Sequence, residues 1–296
     1  MEYLLHILIL IGIYAILSIS LNLVAGYAGL ISIAHAAFYG TGAYFATIMA
    51  LKLHSPFLIN IFCAISFCGF LGILVGIPSL RIHGDYFVIA TFAFQVITFS
   101  ILNNWVSLTG GPMGLPGIPQ PVIFGINISS HIDFLVVTGV FCLLIFLICR
   151  RIVYSPFGRT LKAIREDEMF VLANGKNIAF YKILIFAISA GMAAVAGVIY
   201  AYYISFIDPT GFTVMESIFI ISIVIIGGAG SLWGPVIGAV VLVMLPELLR
   251  FIGLPSSVAA NLRQIIYGGL LVAFMMWRPQ GFLGEYAFRS GGGKSE

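Results

Sequence analysis

Apolar runs of about 17 to 25 residues, each able to carry a helix across about 30 Å of hydrocarbon, follow one another along nearly the whole chain. They lie at Leu4 to Ala25, Leu30 to Leu51, Phe57 to Pro78, Tyr86 to Leu102, Ile132 to Cys149, Ile178 to Tyr203, Met215 to Gly230, Leu232 to Leu249 and Leu262 to Trp277. The seventh is short, and either spans alone or forms a re-entrant or broken pair with the eighth. Only 8% of the 296 residues are charged, against about 25% in soluble domains, and 61% are hydrophobic. The chain is therefore predicted to be all-α: a polytopic integral membrane protein of about nine transmembrane helices, with eight to ten as the range. One transmembrane domain is expected over residues 1–289, followed by a disordered tail, 290–296.

The first run lacks a basic start, exceeds the length of a signal-peptide core and precedes no A-x-A site, so it is expected to stay in the mature protein. Cys63, Cys68, Cys142 and Cys149 fall within apolar runs and never form C-x-x-C, which marks them as small packing residues rather than redox or metal groups.

Short loops rich in Lys and Arg remain cytoplasmic. The stretch Arg150 to Lys182 carries Arg150, Arg151, Arg159, Lys162, Arg165, Lys176 and Lys182 against Glu166, Asp167 and Glu168, which places it inside. The loop 103–131 has no Lys or Arg and belongs on the opposite face, one crossing earlier. Alternation then puts Arg81 and the tail inside, and Asp208 and the N-terminus outside. The net charge of +3 reflects this asymmetry and gives no support to nucleic-acid binding.

Small residues recur four apart at Ser32, Ala36 and Gly40, at Gly72 and Gly76, at Ala193, Gly197 and Ala201, and at Gly234 and Gly238, a spacing that lets helices approach closely. Gly26-Tyr27-Ala28-Gly29 and Gly227-Gly228-Ala229-Gly230 each end one apolar run and precede another, a short internal likeness of the kind transporters use. Among ionisable groups, Asp85, Glu216, Glu247 and Arg250 are expected at the membrane interface, and His35 is expected to bond a neighbouring helix, as are Asn22 and Gln95. Asn22, Gly26, Gly29, His35, Gly227 and Gly228 are the candidates for gating or for the substrate path.

No H-E-x-x-H, no G-x-S-x-G and no metal-ligand cluster of His and carboxylates is present, which disfavours an enzyme. Gly293-Lys294-Ser295 imitates the end of a phosphate-binding loop, but the leading glycine position is Phe288 and no helix can follow. The loop 103–131 is rich in Gly and Pro, and is expected to be a structured cap or docking surface on the external face.

Within the cytoplasmic stretch, Ser155-Pro156 fits a helix N-cap with proline in the first turn, and Asn174-Gly175 supplies a stop. Phe157, Leu161 and Ile164 share one helical face, with Arg159, Lys162 and Glu166 on the other. Taken alone, such a helix fits anionic headgroups as well as a soluble partner.

The run Ser155-Pro156-Phe157-Gly158-Arg159-Thr160-Leu161-Lys162-Ala163-Ile164-Arg165-Glu166-Asp167-Glu168 resembles the coupling loop of branched-chain amino acid ABC transporter permeases. Asn22 to Leu30 continuing into Gly40-Thr41-Gly42-Ala43-Tyr44, Gly84-Asp85-Tyr86 with Leu108 to Pro119, and Arg278 to Gly284 resemble further motifs of the family, the second and last of them closer to its LivM-type than to its LivH-type subunit. The resemblance implies a bacterial inner-membrane permease subunit for leucine, isoleucine or valine, with a coupling loop at 150–177. It also implies a second LivH-type subunit, two cytoplasmic ATPases that bind the ATP and Mg, and an extracytoplasmic binding protein. No cofactor is implied in this chain. Coupling would fall to Ser155, Pro156, Phe157, Gly158, Arg159, Leu161, Lys162, Ile164, Arg165 and Glu166, with Phe157 and Leu161 filling an apolar groove on the ATPase and Arg159 and Arg165 pairing with acids at its rim. Permeases for urea or short amides share much of this pattern, and an ion-coupled carrier is the alternative outside the family.

Overall fold

Inside hydrocarbon every backbone N–H and C=O must be satisfied by protein, which an α-helix does along its own length. The computed structural model describes residues 2–79, 86–123, 125–250, 268–269, 272–274, 276 and 280–284, and in it the apolar runs are helices. In chain order they are α1 (Glu2–Asn22), α2 (His35–Leu53), α3 (Phe57–Ser79), α4 (Tyr86–Asn104), α5 (Val106–Thr109), α6 (His131–Tyr154), α7 (Pro156–Glu166), α8 (Glu168–Ala173), α9 (Ile178–Ile204), α10 (Val214–Gly227) and α11 (Gly234–Arg250). A π-helical turn, Leu23–Tyr27, carries α1 onward to make a run of 26 residues. That run, α3, α4, α6 and α9 are each long and apolar enough to cross a membrane; α10 and α11 are apolar but shorter. Among the described residues, eight of the nine apolar runs coincide with a helix. The ninth, together with Asp85, Arg81 and the tail 290–296, falls largely or wholly outside them.

The α1 run and α9 form the centre, with 72% and 78% of their apolar windows buried, against 22–33% for α3, α4 and α6. Small residues explain why α9 can hold this place. A Cβ added to Gly42 of α2 would lie 2.6 Å from Ala194 Cα, and one added to Gly72 of α3 would lie 2.9 Å from Ala187 Cα. Helices α2 and α3 therefore rest almost directly on the α9 backbone, where dispersion rather than solvent exclusion holds them. The four cysteines are free, as their apolar settings led one to expect.

Two departures from the predicted all-α pattern matter. The loop 103–131 contributes two-residue strands: β1 (Leu115–Pro116) pairs with β4 (Phe206–Ile207), and β2 (Val122–Ile123) with β3 (Ile126–Asn127), both antiparallel. The loop is thus structured, and β1 ties it to the segment after α9. The second apolar run also becomes helical only at His35, five residues beyond Leu30, because residues 28–34 are irregular and Gly29 adopts φ +71°.

Replacing Gly42 with Leu should cost about 1–3 kcal/mol through overpacking against α9 and lower the Tm in detergent by several degrees. Gly139→Leu, at a site on α6 with nothing within 4 Å of the added atom, is the control expected to leave it unchanged. Equal Tm values for the two variants would refute the close α2–α9 approach.

Candidate functional site

Ser155 caps α7 as its sequence predicts, its Oγ accepting from Gly158 N at 3.3 Å, with Pro156 as the first helical residue. Gly158 is obligatory because a Cβ there would strike the Ile152 and Val153 carbonyls. The helix ends early. Asp167 takes an extended backbone and accepts from Phe170 N at 3.0 Å, so it caps a second short helix, α8, which stops at Asn174 and Gly175 (φ +71°). Glu168 turns back to Lys182 Nζ at 2.6 Å.

This geometry corrects the expected division of labour on α7. Leu161 and Ile164, each 1% exposed, are buried within the chain, and Phe157 stacks on Tyr181 with ring centroids 5.2 Å apart. These side chains hold the element to the bundle and leave no apolar face of α7 for a partner's groove. The Arg165 side chain, expected at a partner's acidic rim, is 9% exposed; its Nη1 donates to the Gly26 carbonyl at 2.5 Å, and Nη2 lies 3.4 Å from Glu166. Lys162 Nζ sits 5.4 Å from the centre of the Tyr27 ring. Arg159 and Glu166 do face outward. The prominent apolar surface is on α8 instead, where Met169 is 74% exposed, Phe170 63% and Leu172 51%, and Val171 alone is buried. Sequence reasoning missed these residues. A signal existed, since Asp167 is itself an N-cap residue and splits the expected single helix.

The two glycine segments meet at the same end of the bundle. Asn22 Oδ1 accepts from Gly230 N at 2.9 Å and its Nδ2 donates to the Ser231 carbonyl at 2.7 Å. Gly26 has no room for a side chain, because Asn22 and the Gly230 amide occupy the space. A Cβ on Gly29 would lie 2.7 Å from Arg165 Cγ. Gly228 (φ +115°) ends α10, and the carbonyls of Ile226 and Gly227 there accept from Phe282 N at 2.9 Å and Leu283 N at 3.0 Å. Four separated pieces of sequence, 22–29, 226–231, 281–284 and Arg165 of α7, thus converge here.

His35 stands apart from this junction, bonding Ser189 of α9 through Nε2 at 2.8 Å. Ser189 donates its one hydroxyl proton to the Ser20 carbonyl at 2.6 Å, so Nε2 carries the proton and His35 is the donor. The expected interhelical bond is present; the ring also marks where α2 begins. Nearby, the open N–H groups before and within the first turn of α2 are met by other helices: Ile33 N by Thr91 Oγ1 at 3.2 Å, and Ala36 N by Ser217 Oγ at 3.0 Å. Gln95 Nε2 donates to the Phe212 carbonyl at 2.8 Å, again the interhelical role expected of it.

Glu216 departs from its predicted interfacial place. Its Oε1 accepts from the Tyr14 hydroxyl at 2.5 Å, and Tyr14 lies 12 residues, about 18 Å of helix, beyond Glu2 in the 26-residue α1 run. The carboxylate is therefore near the midpoint of a spanning helix.

A family profile described as "Branched-chain amino acid transport system / permease component" matches residues 3–275. The high-affinity branched-chain amino acid transport system permease protein LivM of Salmonella typhimurium strain LT2 is 33% identical, over 92% of this chain and 68% of that protein. Its namesake in Escherichia coli K12 is 32% identical over the same shares. The LivH permease protein of E. coli K12 is 28% identical, over 92% of this chain and 91% of its own length. No solved structure matches.

Asn22→Ala removes the partner of the buried Gly230 amide, a loss of about 1–3 kcal/mol. Hydrogen exchange at residues 228–233 should speed up by about five- to one-hundred-fold; unchanged protection would show that Asn22 does not hold the two breaks together.

Proposed function

The chain belongs to the family of branched-chain amino acid transport system permease components, and from that premise we propose that it is the membrane subunit of an ATP-driven ABC importer for leucine, isoleucine or valine. It works with a second, LivH-type permease subunit, in keeping with the separate similarity to LivM and LivH proteins of one organism. Two cytoplasmic ATPases bind ATP and Mg and grip α7 and α8, and an extracytoplasmic binding protein delivers substrate on the face of the loop 103–131. The setting is the bacterial inner membrane.

The single observation that carries this reading is the Arg165 bridge. An element that a partner can push, α7 with α8, is bonded to the broken end of α1 at Gly26, and Asn22 bonds that end to the break between α10 and α11. When the ATPases close on ATP, the force enters through the exposed Met169 and Phe170 and through Arg159. Leu161, Ile164 and Phe157 keep the element rigid, so the displacement reaches Arg165 rather than being lost within α7. The π-helical turn is the compliant part of α1, and shifting it moves α1 and α10 together. Both helices border the middle of the bundle, so their movement alternates access to the path.

Purification of the tagged chain from its native membrane should recover an ATPase and a second polytopic subunit. Phe170→Glu should reduce the recovered ATPase by about tenfold or more, since a carboxylate would be forced into an apolar contact; full recovery would remove α8 as the docking surface. Leu161→Asp does not serve here, because it disrupts a residue buried within the chain itself.

Arg165→Ala should lower the leucine moved per ATP hydrolysed by about tenfold, measured in vesicles with the complete transporter. An unchanged ratio would mean that coupling does not run through the Gly26 contact.

A further inference from the structure

Glu166, Asp167 and Glu168 follow one another where α7 ends and α8 begins, and each is engaged differently. Glu166 lies 3.4 Å from Arg165 Nη2, Asp167 caps α8 by accepting from Phe170 N, and Glu168 accepts from Lys182 Nζ at 2.6 Å. Lys182 stands in the second turn of α9, and its side chain is 11% exposed against 45% for that of Glu168. A buried ammonium needs a partner, because losing it leaves an unpaired charge out of water. Lys182 gains nothing from its own helix, whose N-terminal end carries the positive pole of the dipole. The pair is a tie between α8 and α9.

Helix α8 depends on such a tie. Its six residues are too few for a helix that is stable alone, and Met169, Phe170 and Leu172 face outward. Val171 joins Ile164 of α7 and Ile178 of α9 in a small apolar cluster, but a contact of that kind has no preferred direction and would let α8 roll. The charge-assisted bond from Lys182 does have a direction, and it sets where α8 stands along α9. Arg165 does the same for α1 at Gly26, so α7 and α8 together hold the two most buried of the five long apolar helices. Those two are also bonded to each other. Ser189, which donates to the Ser20 carbonyl of α1, stands seven residues, about 10 Å of helix, beyond Lys182.

Resting on the transport function proposed above, we propose that the Glu168–Lys182 pair is a second output of the coupling element: it makes α9 move with α8 when the ATPases close, as Arg165 makes α1 move with α7. Lys182 is a positioning residue, acting on transport only through the helix it belongs to. Helices α2 and α3 rest on the α9 backbone at Ala194 and Ala187, so they travel with it. The movement of the ATPases is then delivered to α1 with α10 on one side and to α9 with α2 and α3 on the other, and the pair is where the second of these groups is driven.

The test uses the complete transporter in ATP-loaded vesicles, with recovery of the ATPase on the tagged chain measured alongside. Lys182→Met removes the buried charge, fills much the same space and leaves the half-exposed Glu168 to water. The leucine moved per ATP hydrolysed should fall about fivefold or more, while ATPase recovery stays within about twofold of the wild type. Lys182→Arg, which keeps the charge, should lose less. Adding Glu168→Gln to Lys182→Met should lower the ratio no further, because the two residues act as one unit. A wild-type ratio in Lys182→Met would overturn the assignment, even with less ATPase recovered, since that is the behaviour of a pair that only props α8 for docking. So would equal losses in the Met and Arg variants, or a further fall in the double variant. Should Lys182→Met not assemble, Glu168→Asp takes its place, keeping both charges with a shorter reach: a ratio about twofold lower or less supports the assignment, and a wild-type ratio overturns it. Absence of ATP-driven leucine uptake in the unaltered transporter would instead remove the proposed function, on which this role depends.

Discussion

A helix end buried from water leaves N–H and C=O groups that each cost several kcal/mol unless protein satisfies them. The α1 run, α2 and α10 all have buried ends of this kind, and the tertiary structure around them is organised by the repair. Thr91 and Ser217 meet the open N–H groups at the start of α2. Asn22 meets Gly230 and Ser231, Arg165 meets Gly26, and the amides of Phe282 and Leu283 meet the last carbonyls of α10. Each repair comes from a distant part of the chain, so the fold's long-range connections are made largely at its helix ends.

Two kinds of contact therefore coexist. Where α2 and α3 rest on α9, glycine meets alanine with no space to spare, and close-packed interfaces of this sort shift as blocks rather than deform. Between α7 and the broken helix ends, by contrast, a few directional hydrogen bonds carry the connection. Hydrogen bonds can be exchanged at small net cost while a packed face cannot, because a lost partner can be replaced by another donor or acceptor. The junction at Arg165 and Asn22 is accordingly held by directional bonds rather than by close packing.

Much of this was legible in the amino-acid sequence, and for definite reasons. Apolar runs reveal helices because hydrocarbon leaves few alternatives, and Ser155-Pro156 reveals the start of α7 because the cap is local chemistry. The two glycine segments, at 26–29 and 227–230, show a short likeness in sequence, but their meeting through Asn22 and Gly230 could not be read from it. Depth was harder to read. Glu216 stands near the edge of its apolar run, which usually means the interface, but it bonds Tyr14, midway along the 26-residue α1 run, so the edge of its run does not give its depth. The amphipathic face of α7 was also visible, while what covers it was not. Periodicity identifies a face that must be buried and is silent on whether the burial is within the chain or against a partner, which is why Leu161 and Ile164 looked like docking residues and Met169 and Phe170 did not.

The choice of side chain at the junction follows from the geometry. Arg165 has to reach a carbonyl at the end of a distorted helix while staying close to Glu166, two acceptors in different directions. A guanidinium does this with separate N–H groups held in one plane, losing little freedom for each bond, whereas an ammonium would have to divide a single, strongly hydrated centre between them. Three residues earlier, Lys162 lies over the Tyr27 ring, where the attraction is to an aromatic face and asks for no fixed direction. One contact is directional and the other is not, and both fall on consecutive residues of the same strip, Gly26 and Tyr27. Arg165 and Lys162 of α7 thus meet the π-helical turn at the end of α1 through one contact that fixes a direction and one that does not.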